Sequence, residues 1–434
     1  MMRKQVVSNA KWIIVCRIMQ SIMQLIIGMI SARYLGPTNY GLITYAASIV
    51  AFALPIMRLG LNATLVHELV ESPDSEGEIM GTSLCLNVLS GILCIGGVSC
   101  FSALTNMGER ETIIVCILYS ASILFAALEM IQYWYQYKLF SKYSSIIMLI
   151  GYFCVSVYKI YLLISNKNVY WFALSHSVEY GIVGVLLLLW YKKNGGGRLS
   201  FSWKRAKKLF SKSKHYIVSA MMIVIIQNTD HIMLTSMMGK TENGYYSAAI
   251  TSAIVLQFVY TAIIDSYRPL ILSAKKTDNN EYESNISGLY SIVIYALLIQ
   301  SLMFTIFAPL IINILYGQEY MASVPVLRIL TWYLAFSFMG SIRNIWILAE
   351  GKQKYLPFIN FVGVIFNIVL NAFLIPIWGA CGAAFASFAS QFAMNFALGF
   401  VFKPIRYNNV LMLRGLNPKC FVKEIKVFLK EIKK

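Results

Sequence analysis

The chain has 434 residues, 58% of them hydrophobic and 13% charged, and it carries a formal net charge of +18. Its mean hydropathy is +0.65. Soluble domains run at about 45–50% apolar and about 25% charged residues, so these figures exclude a soluble globular fold and describe a polytopic membrane protein.

The first apolar run follows Arg3, Lys4 and Lys11 and continues to about residue 30. It holds Arg17, Gln20 and Gln24 and has no small-residue cleavage site, so it reads as a retained first span rather than a signal peptide. Loops rich in charge, Gly, Pro and Asn then punctuate twelve predicted helices. They fall near 12–33, 42–66, 80–104, 112–136, 144–165, 169–191, 215–238, 243–272, 286–315, 323–348, 355–377 and 380–402. This divides the chain into a first six-helix lobe (1–191), a basic linker (192–214), a second six-helix lobe (215–402) and a basic tail (403–434). The eight cysteines show no metal-ligand spacing and read as small buried hydrophobes.

Loop charge sets the expected orientation. With the N-terminus inside, the inside segments hold 27 Lys and Arg, against Arg33, Arg110, Lys167 and Lys240 outside. Both ends are therefore expected in the cytoplasm. The inside segment 67–79 is acidic instead (Glu68, Glu71, Asp74, Glu76, Glu78), although acids contribute little to this rule. The net charge thus needs no nucleic-acid partner. In the tail, Asn417 is a candidate cap with Pro418 at the first helical position. Phe421, Ile425, Phe428 and Ile432 would then share one face of a basic helix suited to anionic membrane lipids. A solvated tail that only enforces topology fits equally.

Two short echoes suggest duplication. YLGPTNYG (34–41) matches MMGKTENG (237–244) at Gly36/Gly239, Thr38/Thr241 and Gly41/Gly244, always 203 positions apart. Lys142-Tyr143 and Lys354-Tyr355 match at an offset of 212. Six helices separate the first pair, and an even number restores the same orientation. The halves should therefore be parallel repeats.

Leu35-Gly36-Pro37 followed by Tyr40-Gly41 resembles the first-loop signature of Wzx-type polysaccharide flippases, members of the multidrug/oligosaccharidyl-lipid/polysaccharide (MOP) exporter superfamily. Asp230, Met233-Leu234, Gly239, Gly244, Tyr246 and Ala248-Ala249 are similar to the family's segment around helices 7 and 8. Leu315-Tyr316-Gly317, Tyr320 and Val326-Leu327 resemble its loop between helices 9 and 10. Gly351-Lys352, Asn367, Asn371, Ile375-Pro376, Gly379, Gly382 and Ala383-Ala384 resemble the region that follows. The resemblance implies an all-α fold of two six-helix bundles in a V around a central cavity. It also implies passage of an undecaprenyl-diphosphate-linked oligosaccharide across a bacterial inner membrane, beside polymerase and chain-length machinery, with no cofactor.

An ionisable group at mid-span costs about 2.5–3.5 kcal/mol on the insertion scale, so each needs a reason. Arg17, Arg58, Arg268 and Arg343 fall in the inside halves of four predicted helices and are candidates for the substrate diphosphate, which guanidinium forks suit. Arg17 and Arg343 are close enough to helix ends to snorkel instead, and Arg268 can pair with Asp265 one turn away. Gln20 and Gln24 continue a polar stripe from Arg17; Gln257 with Thr261 and Asp265 forms another, and Asn367 with Asn371 a third. These stripes are candidates for a glycan-lined cavity or for glue between helices. Asp230, His231, Glu179 and Glu129 are candidates for coupling to H+ or Na+, or for structural pairs.

The same residues bear on two other functions. A cation or drug antiporter of the same superfamily calls for an acidic, aromatic cavity, whereas the arginines cluster here. A membrane polymerase or acyltransferase calls for a large outer loop or charged loop motif, and the sequence has neither.

Overall fold

The computed structural model describes residues 2–422, and those residues contain helices and no strand. Ten helices are long and apolar enough to cross a membrane. They are α1 (Met2–Met57), α2 (Glu76–Thr105), α3 (Arg110–Tyr137), α4 (Ser141–Ile164), α5 (Val169–Lys193), α6 (Trp203–Met238), α7 (Lys240–Thr277), α8 (Asn279–Tyr316), α9 (Ser323–Ala349) and α10 (Gln353–Val401). A core of about 30 Å needs only about 20 helical residues, so α1 and α10 are each long enough for two crossings. Both break where two crossings would meet: α1 at Gly36 (φ 69°, ψ 169°) and α10 at Gly379 (φ 54°, ψ −130°). Counted as pairs of arms, they bring the number of membrane-length segments to the expected twelve.

The corners explain how so apolar a chain reverses. Six alternate connections turn on Gly36, Gly108, Asn166, Gly239, Gly317 and Gly379, all with positive φ, and all but one of the connections between them do likewise at other residues. A side chain is disfavoured in that region and glycine is not, so five of the six are glycine. Gly36 and Gly239, the echoed pair, share one conformation; Gly239 has φ 92° and ψ 176°.

The second echo is a repeated corner, bond for bond. After α3, Lys138 N donates to Trp134 O (2.9 Å), Phe140 N to Tyr135 O (2.7 Å) and Tyr143 N to Phe140 O (2.9 Å), around Leu139 at φ 59°. After α9, Glu350 N donates to Trp346 O (2.9 Å), Lys352 N to Ile347 O (2.9 Å) and Tyr355 N to Lys352 O (3.1 Å), around Gly351 at φ 65°. Each corner is tied to the preceding inter-helix connection by an ion pair, but with opposite polarity: Glu76–Lys138 at 2.7 Å and Lys275–Glu350 at 2.6 Å.

The chain forms two compact units, Met1–Ser236 and Met237–Lys434. In the first, α1 packs on α4 and α4 on α5, around Tyr45, Tyr119, Ile123 and Ala126 toward the Gly36 end and Trp134, Tyr135, Leu187 and Tyr191 toward the other. In the second, α9 is the central helix, packed against α7, α8 and α10.

Residues 196–214 are no free tether. They run as a strap over the acidic segment of the first unit, and the contacts are specific. Gly197 N donates to Glu76 Oε1 (3.1 Å), Ser200 N to Gly77 O (3.3 Å) and Ser202 N to Thr82 Oγ1 (3.1 Å). A Cβ on Gly77 would stand 2.3 Å from Arg198 O, which is why the segment needs glycine there. Farther on, Arg205 faces Glu78 at 3.6 Å, Lys208 faces Glu68 at 3.5 Å, and Lys212 bonds Glu68 and, at 3.1 Å, Glu71. Glu68, Glu71 and Glu78 are thus the strap's counter-charges. Burial alone would raise the Glu68 carboxyl, but its hydrogen bonds with Lys212 and the charges of Lys208 and Lys212 outweigh that and hold it below the ordinary range.

Two element boundaries differ from expectation: the seventh predicted helix begins at Trp203, inside the stretch read as a linker, and the second ends early. The second predicted helix stops at Met57 instead of residue 66, because Leu59 and Gly60 turn with φ of 50° and 69° and short helices follow over Leu61–Ala63 and Leu65–Glu71. At the far end, the Asn417 carboxamide oxygen accepts from Lys419 N at 3.0 Å and a helix starts at Pro418. The amphipathic run 425–433 lies outside the described residues.

Candidate functional site

Three of the four candidate arginines keep an exposed or half-exposed side chain, and one does not. Arg343 is 2% exposed. The backbone of α10 widens into a π turn over Ala393–Ala397, and Arg343 Nη1 donates to the carbonyl of Met394 there at 2.8 Å. Its Nη2 lies 3.4 Å from Asn344 Oδ1. A side chain buried inside the second unit presents no exposed donor to a diphosphate, so Arg343 leaves the candidate set. Asn367 and Asn371 leave it for the same reason: both are buried, with Asn371 Nδ2 donating to Asn367 Oδ1 (3.1 Å) and Asn367 Nδ2 to Ser387 Oγ (3.3 Å). They are glue within α10, binding its two arms together.

The α7 stripe behaves differently. Tyr260, Ile264, Ile271 and Ala274 form its buried face, while Gln257, Thr261, Asp265 and Arg268 are exposed on the other. Arg268 Nη2 pairs with Asp265 Oδ1 at 3.1 Å, along the helix rather than across to a neighbour. On α1, Arg17 and Gln24 are exposed and Gln20 half-buried. Hydrocarbon would reject groups of this kind, so both faces require water or a polar ligand.

A second constellation lies inside the first unit. Arg58, expected eight residues inside its helix, follows immediately after the end of α1 and reaches Glu129 on α3, Nη2 to Oε2 at 3.1 Å. Their side chains are 31% and 15% exposed. Glu129 sits in a short 3-10 stretch, Ala127–Met130, the tightened backbone that often marks functional positions within helices. Around the pair stand Tyr133 one turn along α3, Tyr152 and Lys159 on α4, and His176, Glu179 and Tyr180 on α5. Tyr152 and Lys159 lie within electrostatic reach of Glu179, and His176 Nδ1 is 3.8 Å from Glu179 Oε2. Two cations and two carboxylates therefore share one largely buried polar network. The candidates Glu129 and Glu179 are brought together in it, and Asp230 lies buried, and His231 half-buried, on α6.

Sequence reasoning singled out none of the tyrosines in this network. The available signal was depth: Tyr119, Tyr133, Tyr152 and Tyr180 fall several residues inside their spans.

A family model described as polysaccharide biosynthesis protein matches residues 6–275, more than half of the chain. The chain belongs to this polysaccharide biosynthesis family. A capsular polysaccharide biosynthesis protein of Staphylococcus aureus is 22% identical over 92% of this chain and 100% of its own length. An uncharacterized membrane protein of Methanocaldococcus jannaschii is 23% identical over 66% of this chain; the match spans 56% of that relative's length. Among solved structures, the lipid II flippase MurJ in an inward closed conformation superposes with a TM-score of 0.67 at 13% identity, covering 97% of this chain and 99% of MurJ. An inward-facing multidrug resistance MATE family transporter of the MOP superfamily also gives 0.67, at 12% identity, with 90% and 95% covered. The family member described here thus shares its fold with solved MOP-superfamily transporters and is a multi-pass membrane protein.

Proposed function

We propose that the chain carries an undecaprenyl-diphosphate-linked oligosaccharide repeat unit from the cytoplasmic to the outer leaflet of a bacterial inner membrane by alternating access, for O-antigen or another surface polysaccharide. The strap face is cytoplasmic in this reading, as the 27 inside Lys and Arg require, and a polymerase with its chain-length machinery would receive the product. In the first unit Arg17 and Arg58 are the ligands for the diphosphate and Gln20 and Gln24 those for the glycan; in the second unit, taken by itself, Arg268 and Gln257 offer the same two kinds of contact, and the polyprenyl chain stays in the bilayer. Coupling to H+ or Na+ would use the carboxylates of the Arg58 network, with Asp230 and His231 as further candidates.

The observation that carries this reading is the exposed stripe of α7. Within a span it presents an amide, a hydroxyl, a carboxylate and a guanidinium to no helix of its own unit, and the chain belongs to a polysaccharide biosynthesis family. The relative named lipid II flippase supports a lipid-linked cargo of the same chemical kind.

The test uses purified protein in liposomes loaded with labelled undecaprenyl-diphosphate oligosaccharide, with leaflet exchange followed in wild type and Arg58→Ala, beside a lipophilic-cation flux assay. Exchange that falls at least tenfold in the variant, roughly the loss of one charge-assisted contact, is the expected result. Cation flux without movement of the lipid-glycan would replace the flippase by an antiporter.

A further inference from the structure

We propose that the diphosphate competes with Glu129 for Arg58, so that each substrate bound brings one proton onto the Glu129 carboxylate. The inference rests on the reading of Arg58 as a diphosphate ligand and adds to it the fate of the acid that Arg58 already holds.

Geometry sets up the competition. Arg58 is not a waiting cation: its guanidinium is engaged by Glu129 at 3.1 Å. A guanidinium presents a fork, and a diphosphate oxygen pair fills it better than a single carboxylate oxygen does. Once the fork turns, Glu129 loses its ion-pair partner while remaining mostly buried, 15% exposed. A buried carboxylate without a cation is far more costly than a neutral carboxylic acid, and the incoming anion adds repulsion to that cost.

The neighbours do not offer a substitute. On its own helix the facing titratable group is Tyr133; α4 contributes Tyr152 and α5 contributes Tyr180, all of them neutral hydroxyls near neutral pH. Glu179 on α5 is a second acid and adds repulsion, and His176 stands beside it. Lys159 on α4 lies within electrostatic reach of Glu179, whereas the cation that acts on Glu129 is Arg58. α2, which also packs on this stretch, carries no acid or base after Glu78 other than cysteine. Two cations and two carboxylates balance in the empty network, and an added anion breaks that balance unless a proton comes with it. The proton balance is simple: one H+ leaves bulk water for a Glu129 oxygen, Arg58 stays charged, and no bond other than O–H forms.

The test is calorimetric binding of a short-chain polyprenyl diphosphate to the full chain in nanodiscs. It is repeated above neutral pH in buffers of different ionisation enthalpy, which reads out protons taken up per ligand. Wild type should take up about one proton, and its affinity should weaken roughly tenfold per pH unit. Glu129→Gln, which is uncharged and of the same shape, should take up about none and bind with an affinity flat in pH. Wild-type binding with no uptake and no pH slope, or a slope that persists unchanged in Glu129→Gln, overturns the competition while leaving Arg58 as the anion ligand. Binding that Arg58→Ala leaves undiminished overturns the diphosphate reading, and this inference with it. The wild-type slope needs no variant to fold.

Discussion

Arg343 and Arg58 look alike as letters, each a lone arginine toward the inside end of an apolar run, yet they meet opposite surroundings. Nothing in a local window says whether a helix face meets a neighbour, and that is why charge was legible in the sequence and burial was not. The stripes of α7 and α10 make the same point with amides: Gln257 is exposed, while Asn367 and Asn371 are buried among small residues of the opposite arm. Arg343 also permits a signed prediction. Burying a guanidinium with only a carbonyl and an amide for company costs several kcal/mol, whereas leaving the Met394 carbonyl unpaired costs about 1–3 kcal/mol. Because the first term is larger, Arg343→Met, similar in volume, should raise the melting temperature in detergent. A fall of several degrees would show that the bond to the π turn dominates. The same variant has no reason to alter the proton stoichiometry set by Glu129.

At the scale of elements, the helices and most corners follow from the sequence because hydropathy and glycine carry them directly. The strap does not, because a run of nine Lys and Arg (192–214) looks identical whether it is solvated or docked. Its partners were visible all the same, among the acids of 67–79 that broke the charge pattern of the inside loops. Chymotrypsin cleavage after Phe201 or Trp203 reports on docking. Glu68→Lys should speed it several-fold, since it replaces the shared partner of Lys208 and Lys212 with a like charge; unchanged cleavage would reduce those contacts to decoration. pH gives an independent handle. Glu68 is held below its ordinary value of 4.5, so its contribution is present above that value and is lost as pH falls through the lower, docked-state value. Protection should therefore hold at neutral pH and decline below the ordinary glutamate range. Gly77→Ala should undock the strap at every pH, because the added carbon collides with backbone.

For the whole molecule, the duplicated plan was readable from five matched letters, and the corners confirm it in backbone angles. The division between units was less readable, since most of α6 and all of the strap group with the first unit and the boundary falls at Ser236/Met237. Composition marks loops but carries no record of which loops dock. Orientation is testable independently of transport. Phosphatase fusions made at Asn168 should be active outside the cell membrane and those at Gly195 silent; the reverse pattern would invert the leaflet order of the proposed reaction.

The two matching corners, with their ion pairs of opposite polarity, bear on how such a chain assembles as it leaves the ribosome. Two halves built to one plan could exchange helices while the second is still being threaded into the bilayer. Glu76 brought against the Glu350 corner, or Lys275 against the Lys138 corner, would set like charges together, whereas the authentic partners attract. The opposed signs thus favour the authentic partner of each corner over its counterpart in the other half.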